Sequence, residues 1–256
     1  MAVLVGLPRR APATVGASPG GVATVVRGPV SALDADRALA PIVTLLVRAG
    51  ADGGARIRLT ATDGPDGPAV VQVNLRCGGA PARIQVDGAD VATAILAAAD
   101  RVQRQLRRLT VAYEPWPWPD AQRRLLGLPG PGRIVRRKPY RLLVGVPCQA
   151  AAFMNAMDYD VMLYTDAETG EDAVVYRSGP TGLRLARQRS MHPPTLPVLL
   201  PMTVNSHRVP TFTETDAANH LAQGWLPYVF YTDRTSGRGN LVYRRYDGEL
   251  GLISPA

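Results

Sequence analysis

The sequence predicts an α+β protein. An N-terminal two-layer domain with the element order β-α-β-β-β-α is followed by two small β-rich modules, each with a strand, a helix and a hairpin. Three consecutive segments in the N-terminal half alternate strictly between apolar and polar residues and lie between two segments of helical periodicity. This is typical of a sheet covered by helices on one face. A block in the C-terminal half occurs twice at a constant spacing, which indicates a duplicated structural unit.

The first domain is expected to open with a strand over Val22–Val26. A helix capped by Ser31 or Asp34 follows and runs to about Arg48. Pro41 lies inside this helix, so a kink or a late start is expected there.

The three alternating strands present one apolar and one polar face. The apolar face consists of Ala55, Ile57, Leu59, Ala61, Val71, Val73, Leu75, Ala82, Ile84 and Val86. A second helix, from Asp90 to about Leu109, has an apolar stripe that can cover this face together with the first helix.

Two surfaces of this domain are predicted to be basic. The polar sheet face carries neither Asp nor Glu and consists of Arg56, Arg58, Gln72, Asn74, Arg76, Arg83 and Gln85. The arc of the last helix opposite its apolar stripe carries Arg101, Arg104, Arg107 and Arg108. An ordinary solvated face, the alternative, usually mixes both signs of charge. Because Arg forks bind phosphates and stack on bases, the two surfaces together favour phosphate binding.

The repeated block reads as a β-hairpin. Its first copy begins at Tyr164-Thr165-Asp166 and its second at Tyr231-Thr232-Asp233, 67 positions later. Apolar runs flank a polar turn that contains Gly170 or Gly237. Since a single hairpin is marginally stable in water, each copy needs a partner surface, and the other copy is the obvious candidate. The residues expected to pair the modules are Val161, Leu163, Val175, Tyr176, Val229, Tyr231, Val242 and Tyr243.

These patterns divide the chain into six segments. They are a disordered extension (1–20), the first domain (21–110), a Pro/Trp-rich linker (111–132), the first module (133–186), a Pro-rich linker (187–206) and the second module (207–256). A strand over Arg208–Phe212 and a helix capped by Thr215 are expected to open the second module.

The composition limits the classes of function that the chain can have. The net charge of +8 and the sequence pI of about 10.0 indicate a polyanionic partner. Cys77 and Cys148 form no disulfide framework or metal motif, and His192, His207 and His220 are scattered. No apolar run reaches the ~18–20 residues that span a bilayer. We therefore expect a cytoplasmic protein that is not an enzyme and that uses no metal, cofactor, small-molecule substrate or membrane.

Several of these segments resemble one family. Leu241–Ile253 closely resembles the C-terminal module of long-form ribosome hibernation promoting factors. Arg133–Lys138 and Asp166–Glu171 look like the opening strand and hairpin turn of the same module, and Arg101–Arg108 resembles the basic last helix of the family's N-terminal domain. The duplicated module is similar to that of actinobacterial hibernation factors associated with hypoxia and dormancy.

The resemblance implies an N-terminal domain bound in the decoding region of the small ribosomal subunit. There it overlaps the mRNA channel and the A- and P-site tRNA positions, stops translation and keeps the subunits joined. Carried over by position, the rRNA contacts would be Arg101, Arg104, Arg107 and Arg108, with Arg27 after the first strand. Arg56 and Arg58 join this set from the pattern of the sheet face alone.

The two modules depart from the family pattern, in which a single C-terminal module pairs with its copy on another ribosome. A flexible linker of about twenty residues spans roughly 25 Å, which gives an effective concentration of about millimolar for pairing within one chain. We expect intramolecular pairing and single silenced ribosomes, with a homodimer less favoured. The alternative is a stress regulator that pairs with another protein through its modules.

Overall fold

The computed structural model describes residues 21–51, 53–109, 132–179, 182–195, 200–245 and 248–256, together with the backbone of Ala13–Ala17. The Pro/Trp-rich linker expected over 111–132 lies outside these residues, apart from Gly132. The described residues divide into two compact units. The first holds the residues up to Leu109 and also Ala156–Asp158, and the second holds the rest.

The first unit is a helix-covered sheet. Its elements are β1 (Ala13–Ala17), β2 (Ala23–Arg27), α1 (Ala32–Arg48), β3 (Arg56–Ala61), β4 (Ala69–Cys77), β5 (Ala80–Gly88) and α2 (Val91–Arg108). The strands lie in the order β1-β2-β3-β4-β5. Only the β2–β3 pair is parallel, and α1 makes the crossover that a parallel pair requires. The α+β class is confirmed.

Both helices begin at side-chain caps. The Ser31 hydroxyl accepts a hydrogen bond from the Asp34 N–H at 3.1 Å, and the Asp90 carboxylate accepts one from the Thr93 N–H at 2.6 Å. The helix α1 starts directly after Ser31 and continues through Pro41, so the late start considered above does not occur. The apolar strand face and the helix stripes form one buried core, to which α1 contributes Leu39, Ile42 and Leu46.

The N-terminal extension differs from its prediction in one place. Ala13–Ala17 form β1 and pair antiparallel with β2 over five residues. Ala13, Val15 and Ala17 alternate with Thr14 and Gly16, but a run this short within a segment rich in Pro, Ala, Gly and Arg does not distinguish a strand from disorder. Pairing to a sheet edge needs only backbone groups, which explains how such a segment can join the sheet.

The second unit contains two copies of the same strand and helix succession. Its elements are β6 (Ile134–Tyr140), β7 (Val144–Gly145), α3 (Pro147–Ala156), β8 (Val161–Asp166), β9 (Asp172–Ser178), β10 (Gly182–Arg187), β11 (Met202–Val204), β12 (Thr211–Phe212), α4 (Glu214–Gln223), β13 (Tyr228–Asp233), β14 (Gly239–Arg244) and β15 (Leu250–Pro255). The 67-position spacing of the sequence repeat relates β7-α3-β8-β9-β10 to β12-α4-β13-β14-β15. Both hairpin turns use a glycine of positive φ, Gly170 at 70° and Gly237 at 69°, as predicted.

The strands form two sheets that exchange one strand each. The first sheet has the order β11-β10-β9-β8-β7, and the second has the order β12-β13-β14-β15-β6. The strand β6 opens the first module, yet it pairs in parallel with β15 of the second. The strand β11 precedes the second module, yet it pairs in parallel with β10 of the first. The segment expected to be only a linker, 187–206, therefore contains a strand of the first module's sheet.

Two predicted boundaries in the second module shift. The strand expected over Arg208–Phe212 is reduced to β12. The cap of α4 is Thr213 rather than Thr215, because Thr213 and Asp216 form a reciprocal capping box.

Candidate nucleic-acid interface and module contact surface

The polar face of the first sheet brings three arginines into two adjacent cross-strand rows. Arg56 is the neighbour of Asn74, which is the neighbour of Arg83. In the next row Arg58 lies beside Gln72 and Gln72 beside Gln85. Cross-strand neighbours have Cβ atoms about 4.5–5.5 Å apart. The face therefore presents a dense set of guanidinium and amide donors, suited to phosphate oxygens.

One acidic residue, Asp87, lies on this face, which the sequence predicted to carry neither Asp nor Glu. The strand β5 continues to Gly88, which places Asp87 beyond Gln85 on the polar side. The row that contains Asp87 runs across Val70 and Thr60 to Arg27, so the acid and Arg27 lie at opposite ends of it. The face is therefore predominantly basic but not free of acids, because the strand extends past its predicted end at Val86.

Arg27 and Arg56 are the most accessible of the sheet residues predicted to contact rRNA. Both side chains are exposed, and neither has an ion-pair partner among the residues that the structure describes. Arg58 is half-buried. The sheet thus offers two exposed cations at its surface.

The helix α2 divides its four predicted contact residues into two pairs. Arg107 is exposed, and Arg104 is half-buried with its guanidinium on Asp100 one turn earlier. Arg101 and Arg108 are buried, and Arg101 is only 1% exposed. The Arg101 guanidinium donates to both carboxylate oxygens of Asp158, at 2.6 and 3.3 Å. This placement corrects the expected exposed arc for Arg101 and Arg108.

The burial of Arg101 has a local and a distant cause. Arg101, Gln105 and Arg108 continue the line of the buried residues Ala94 and Ala98 along α2, since residues three and four apart share one helix face. This spacing could have been recognised in the sequence. Asp158 is 57 positions away in the chain, and nothing local identifies it as the partner.

The second unit has a third hydrophobic cluster besides the cores of its two modules. We call it the shared cluster because both modules contribute to it. It contains Leu163, Val174, Ala186, Val209 and Leu241, flanked by Leu142, Val161, Tyr176, Tyr228, Phe230 and Ile253. The rings of Tyr176 and Tyr228 meet edge to face at 6.1 Å, a favourable aromatic geometry.

The residues predicted to pair the modules are distributed over three environments. Val161, Leu163 and Tyr176 lie in the shared cluster. Val175 belongs to the core of the first module, and Val229, Tyr231 and Val242 belong to the core of the second. Tyr243 lies under the Lys138 ammonium, 5.1 Å from its ring centroid.

The reason for this distribution is the alternation of side chains along a strand. Consecutive residues point to opposite faces of a sheet, and the predicted set mixed residues from both faces. The shared cluster therefore contains residues adjacent to predicted ones: Val174 of β9, Tyr228 and Phe230 of β13, and Leu241 of β14. The predicted residues beside them, Val175, Val229, Tyr231 and Val242, face the module cores instead.

A polar network adjoins the shared cluster at the start of β9 and β14. The Asp172 carboxylate accepts hydrogen bonds from the Arg238 Nε at 2.7 Å and from the Gly239 N–H at 2.8 Å. The Thr165 hydroxyl donates to the same carboxylate at 3.0 Å. The Gln188 amide donates to the Thr232 hydroxyl and to the Gly237 carbonyl, both at 3.0 Å. The bonds from Arg238 and Gly239 to Asp172 join the second module to the first, and those of Gln188 join the segment after the first module to the second.

The ionisation of Asp172 reflects two opposing effects. Burial alone would raise the pKa of its carboxyl, but the hydrogen bonds from Arg238, Gly239 and Thr165 lower the pKa below the ordinary value of 3.8. The carboxylate is therefore charged at neutral pH and accepts all of these bonds as an anion.

Within the described ranges, no three His, Cys, Asp or Glu side chains are grouped so that they could hold a metal ion. None of the helices described is both long enough and apolar enough to cross a membrane.

The chain was compared with known proteins. Residues 130–185, which include β6 to β9 and the first four residues of β10, match the family model described as "Sigma 54 modulation/S30EA ribosomal protein C terminus". Proteins of Mycobacterium tuberculosis strains CDC 1551 / Oshkosh and ATCC 25618 / H37Rv, both named "Dormancy associated translation inhibitor", are 46% identical to the chain over 246 residues. The alignments cover 91% of this chain and 88% of each relative. The chain belongs to the family of long-form ribosome hibernation factors.

The extent of these alignments bears on the duplication. An alignment over 91% of the chain must include residues of both C-terminal modules. The tandem arrangement is therefore compatible with the length of these relatives.

Proposed function

We propose that this protein inhibits translation by binding the small ribosomal subunit at its decoding centre. The first unit would occupy the mRNA channel and the A- and P-site tRNA positions, and the ribosome would be preserved in an inactive state under stress. The predominantly basic polar face, with Arg56 exposed at its surface, is the single observation that carries this proposal. The similarity to translation inhibitors associated with dormancy agrees with it.

The mechanism is steric and electrostatic. Each guanidinium that neutralises an rRNA phosphate releases condensed counterions, so binding is tight at low salt and weakens steeply as salt rises. Arg27 and Arg56 supply such contacts from the polar sheet face, together with the half-buried Arg58, and Arg104 and Arg107 supply further contacts from α2. Once the domain is bound, occupancy of the channel alone prevents mRNA and tRNA from entering.

We further propose that the two modules pair within one chain, so that the protein silences single ribosomes. The exchanged strands β6 and β11 and the shared cluster support this proposal. The short tether between the modules strengthens it, because a second chain at micromolar concentration competes poorly with a partner at about millimolar effective concentration. A ribosome-dimer peak that depends on the protein in sucrose gradients would count against it.

The polar face is tested by a charge-matched pair of variants. Arg27→Ala with Arg56→Ala removes two exposed cations of this face, whereas Arg37→Ala with Arg48→Ala removes two exposed cations of α1. The first variant is expected to bind 70S ribosomes or small subunits more weakly, with the slope of log K against log salt reduced by roughly one for each lost phosphate contact. The α1 variant is expected to bind like the wild type. Co-sedimentation over a salt series measures both quantities.

Equal binding by the two variants would contradict the assignment of the polar face. Arg101 and Arg108 are unsuitable for this test, because substituting a buried arginine leaves its partner unpaired and destabilises the fold. Circular dichroism of each variant establishes that folding is unchanged.

A second candidate is a regulator that binds another protein through its modules. Exposed apolar side chains favour it: Val144 of the edge strand β7 is 67% exposed, and Leu143 and Phe153, near it in the chain, are 36% exposed each. Exposed apolar side chains beside an edge strand are typical of protein contacts. Co-purification of a protein partner after nuclease treatment, without ribosomal proteins, would favour the regulator.

A further inference from the structure

The contact between the modules has a centre where equivalent residues of the two repeats meet. Asp172 begins β9 and Gly239 begins β14, 67 positions later. A Cβ atom added to Gly239 would lie 2.6 Å from the Cβ of Asp172. The structure can therefore hold a side chain at one of these two positions but not at both.

The charges at this centre are also opposite in the two repeats. The first repeat carries Glu171 and Asp172, where the second carries Arg238 and Gly239. The Arg238 guanidinium donates to the Asp172 carboxylate at 2.7 and 3.1 Å. In a symmetric pair of identical modules each residue at the axis faces its own copy. Two first modules would place acids against acids, and two second modules would leave Arg238 without its carboxylate.

The apolar residues of the shared cluster also differ in size between the two repeats, in one direction at most equivalent positions. At four equivalent pairs the first module has the smaller residue: Val161 and Tyr228, Leu163 and Phe230, Val174 and Leu241, and Ala186 and Ile253. Leu142 and Val209 reverse this order. Since interiors are close-packed, two small faces would leave a void and two large faces would clash.

We propose that the two faces have become complementary to each other, so that the first module selects the second and each module rejects a copy of itself. This proposal rests on the pairing proposed above and names what determines the partner. Specificity of this kind combines attraction in the correct pair with repulsion and misfit in the wrong ones. The consequence is that first-with-first and second-with-second contacts between chains are excluded by the surfaces themselves, independently of the tether.

The test exchanges the faces in the full chain. One variant places first-module residues on the second module: Tyr228→Val, Phe230→Leu, Arg238→Glu, Gly239→Asp, Leu241→Val and Ile253→Ala. A second variant makes the reverse changes on the first module: Val161→Tyr, Leu163→Phe, Glu171→Arg, Asp172→Gly, Val174→Leu and Ala186→Ile. A third variant carries all twelve changes and has the composition of the wild type. Calorimetry gives the unfolding midpoint of each, and light scattering gives its mass.

Each half-exchanged chain is expected to unfold more than about 10 °C below the wild type, since several core-sized changes accumulate. The fully exchanged chain is expected to recover at least about half of that loss and to remain a monomer, because complementarity is restored. Half-exchanged chains as stable as the wild type, or an exchanged chain no more stable than either of them, would overturn the proposal. All three variants keep Arg27 and Arg56, so ribosome binding by the first unit is assessed separately.

Discussion

At the scale of single residues, the arginines of this chain have two separate roles. Arg27 and Arg56 are exposed on the first sheet, whereas Arg101 and Arg187 are buried and bonded to the carboxylates of Asp158 and Asp166. A buried guanidinium is retained only where a carboxylate and further hydrogen bonds compensate its lost hydration. Counting arginines in the sequence therefore overestimates the surface that can bind RNA.

Asp172 allows a prediction with a defined pH dependence. Its folded-state pKa lies below 3.8, so its stabilising contribution is complete above that pH and is lost as the pH falls through the folded-state value. We expect Asp172→Asn to lower the free energy of unfolding by about 1.5–3 kcal/mol at pH 7, and the difference from the wild type to shrink below pH 3.8. Urea unfolding at several pH values measures this.

A matched control for Asp172→Asn is Asp36→Asn, at an exposed position of α1. It is expected to change the unfolding free energy by less than about 0.5 kcal/mol. A difference between Asp172→Asn and the wild type that stays constant down to the lowest pH would show that the carboxylate charge is not what stabilises the contact.

At the scale of elements, short-range sequence patterns predicted the strands and turns whose formation depends on residues close to one another in the chain. Strict alternation predicted β3, β4 and β5, and the Gly-containing turns predicted both hairpins. The strand β6 was also recognised, but the sheet it joins was not. Its neighbour Gly251 lies more than one hundred positions from Arg136, and the short-range pattern of a strand contains no information about so distant a partner. For the same reason, the sequence did not identify Asp158 as the partner of Arg101.

The cap of α4 gives a prediction at this scale. Thr213 accepts a hydrogen bond from the Asp216 N–H at 3.2 Å, while Thr215 is exposed. Thr213→Ala is expected to destabilise the protein by about 1 kcal/mol, and Thr215→Ala by less than about 0.5 kcal/mol. Both substitutions remove one hydroxyl and one methyl group, so the thermal unfolding midpoints of the two variants compare the two positions directly. A larger loss of stability in Thr215→Ala than in Thr213→Ala would show that Thr215 is the cap.

At the scale of the whole molecule, the exchanged strands determine how the modules can separate. The chain before residue 196 contains β6 to β10, and the chain after residue 199 contains β11 to β15. Each part supplies one strand to the other's sheet: β6 pairs with β15 over six residues, and β11 pairs with β10 over three. Separation would therefore remove an edge strand from both sheets and expose the shared cluster, so the intramolecular pairing proposed above would not depend on the tether alone.

A cleavable chain tests this directly. A protease site inserted between Thr195 and Leu200 allows the covalent tether to be cut after folding. We expect the two fragments to elute together in size-exclusion chromatography at micromolar concentration and to part only in denaturant. The control is the same chain with Gly239→Asp, which places a second side chain within 2.6 Å of the Asp172 Cβ and a second negative charge beside its carboxylate. Its fragments are expected to separate on cleavage. Fragments of the unsubstituted chain that separate equally readily would show that the tether alone holds the modules together.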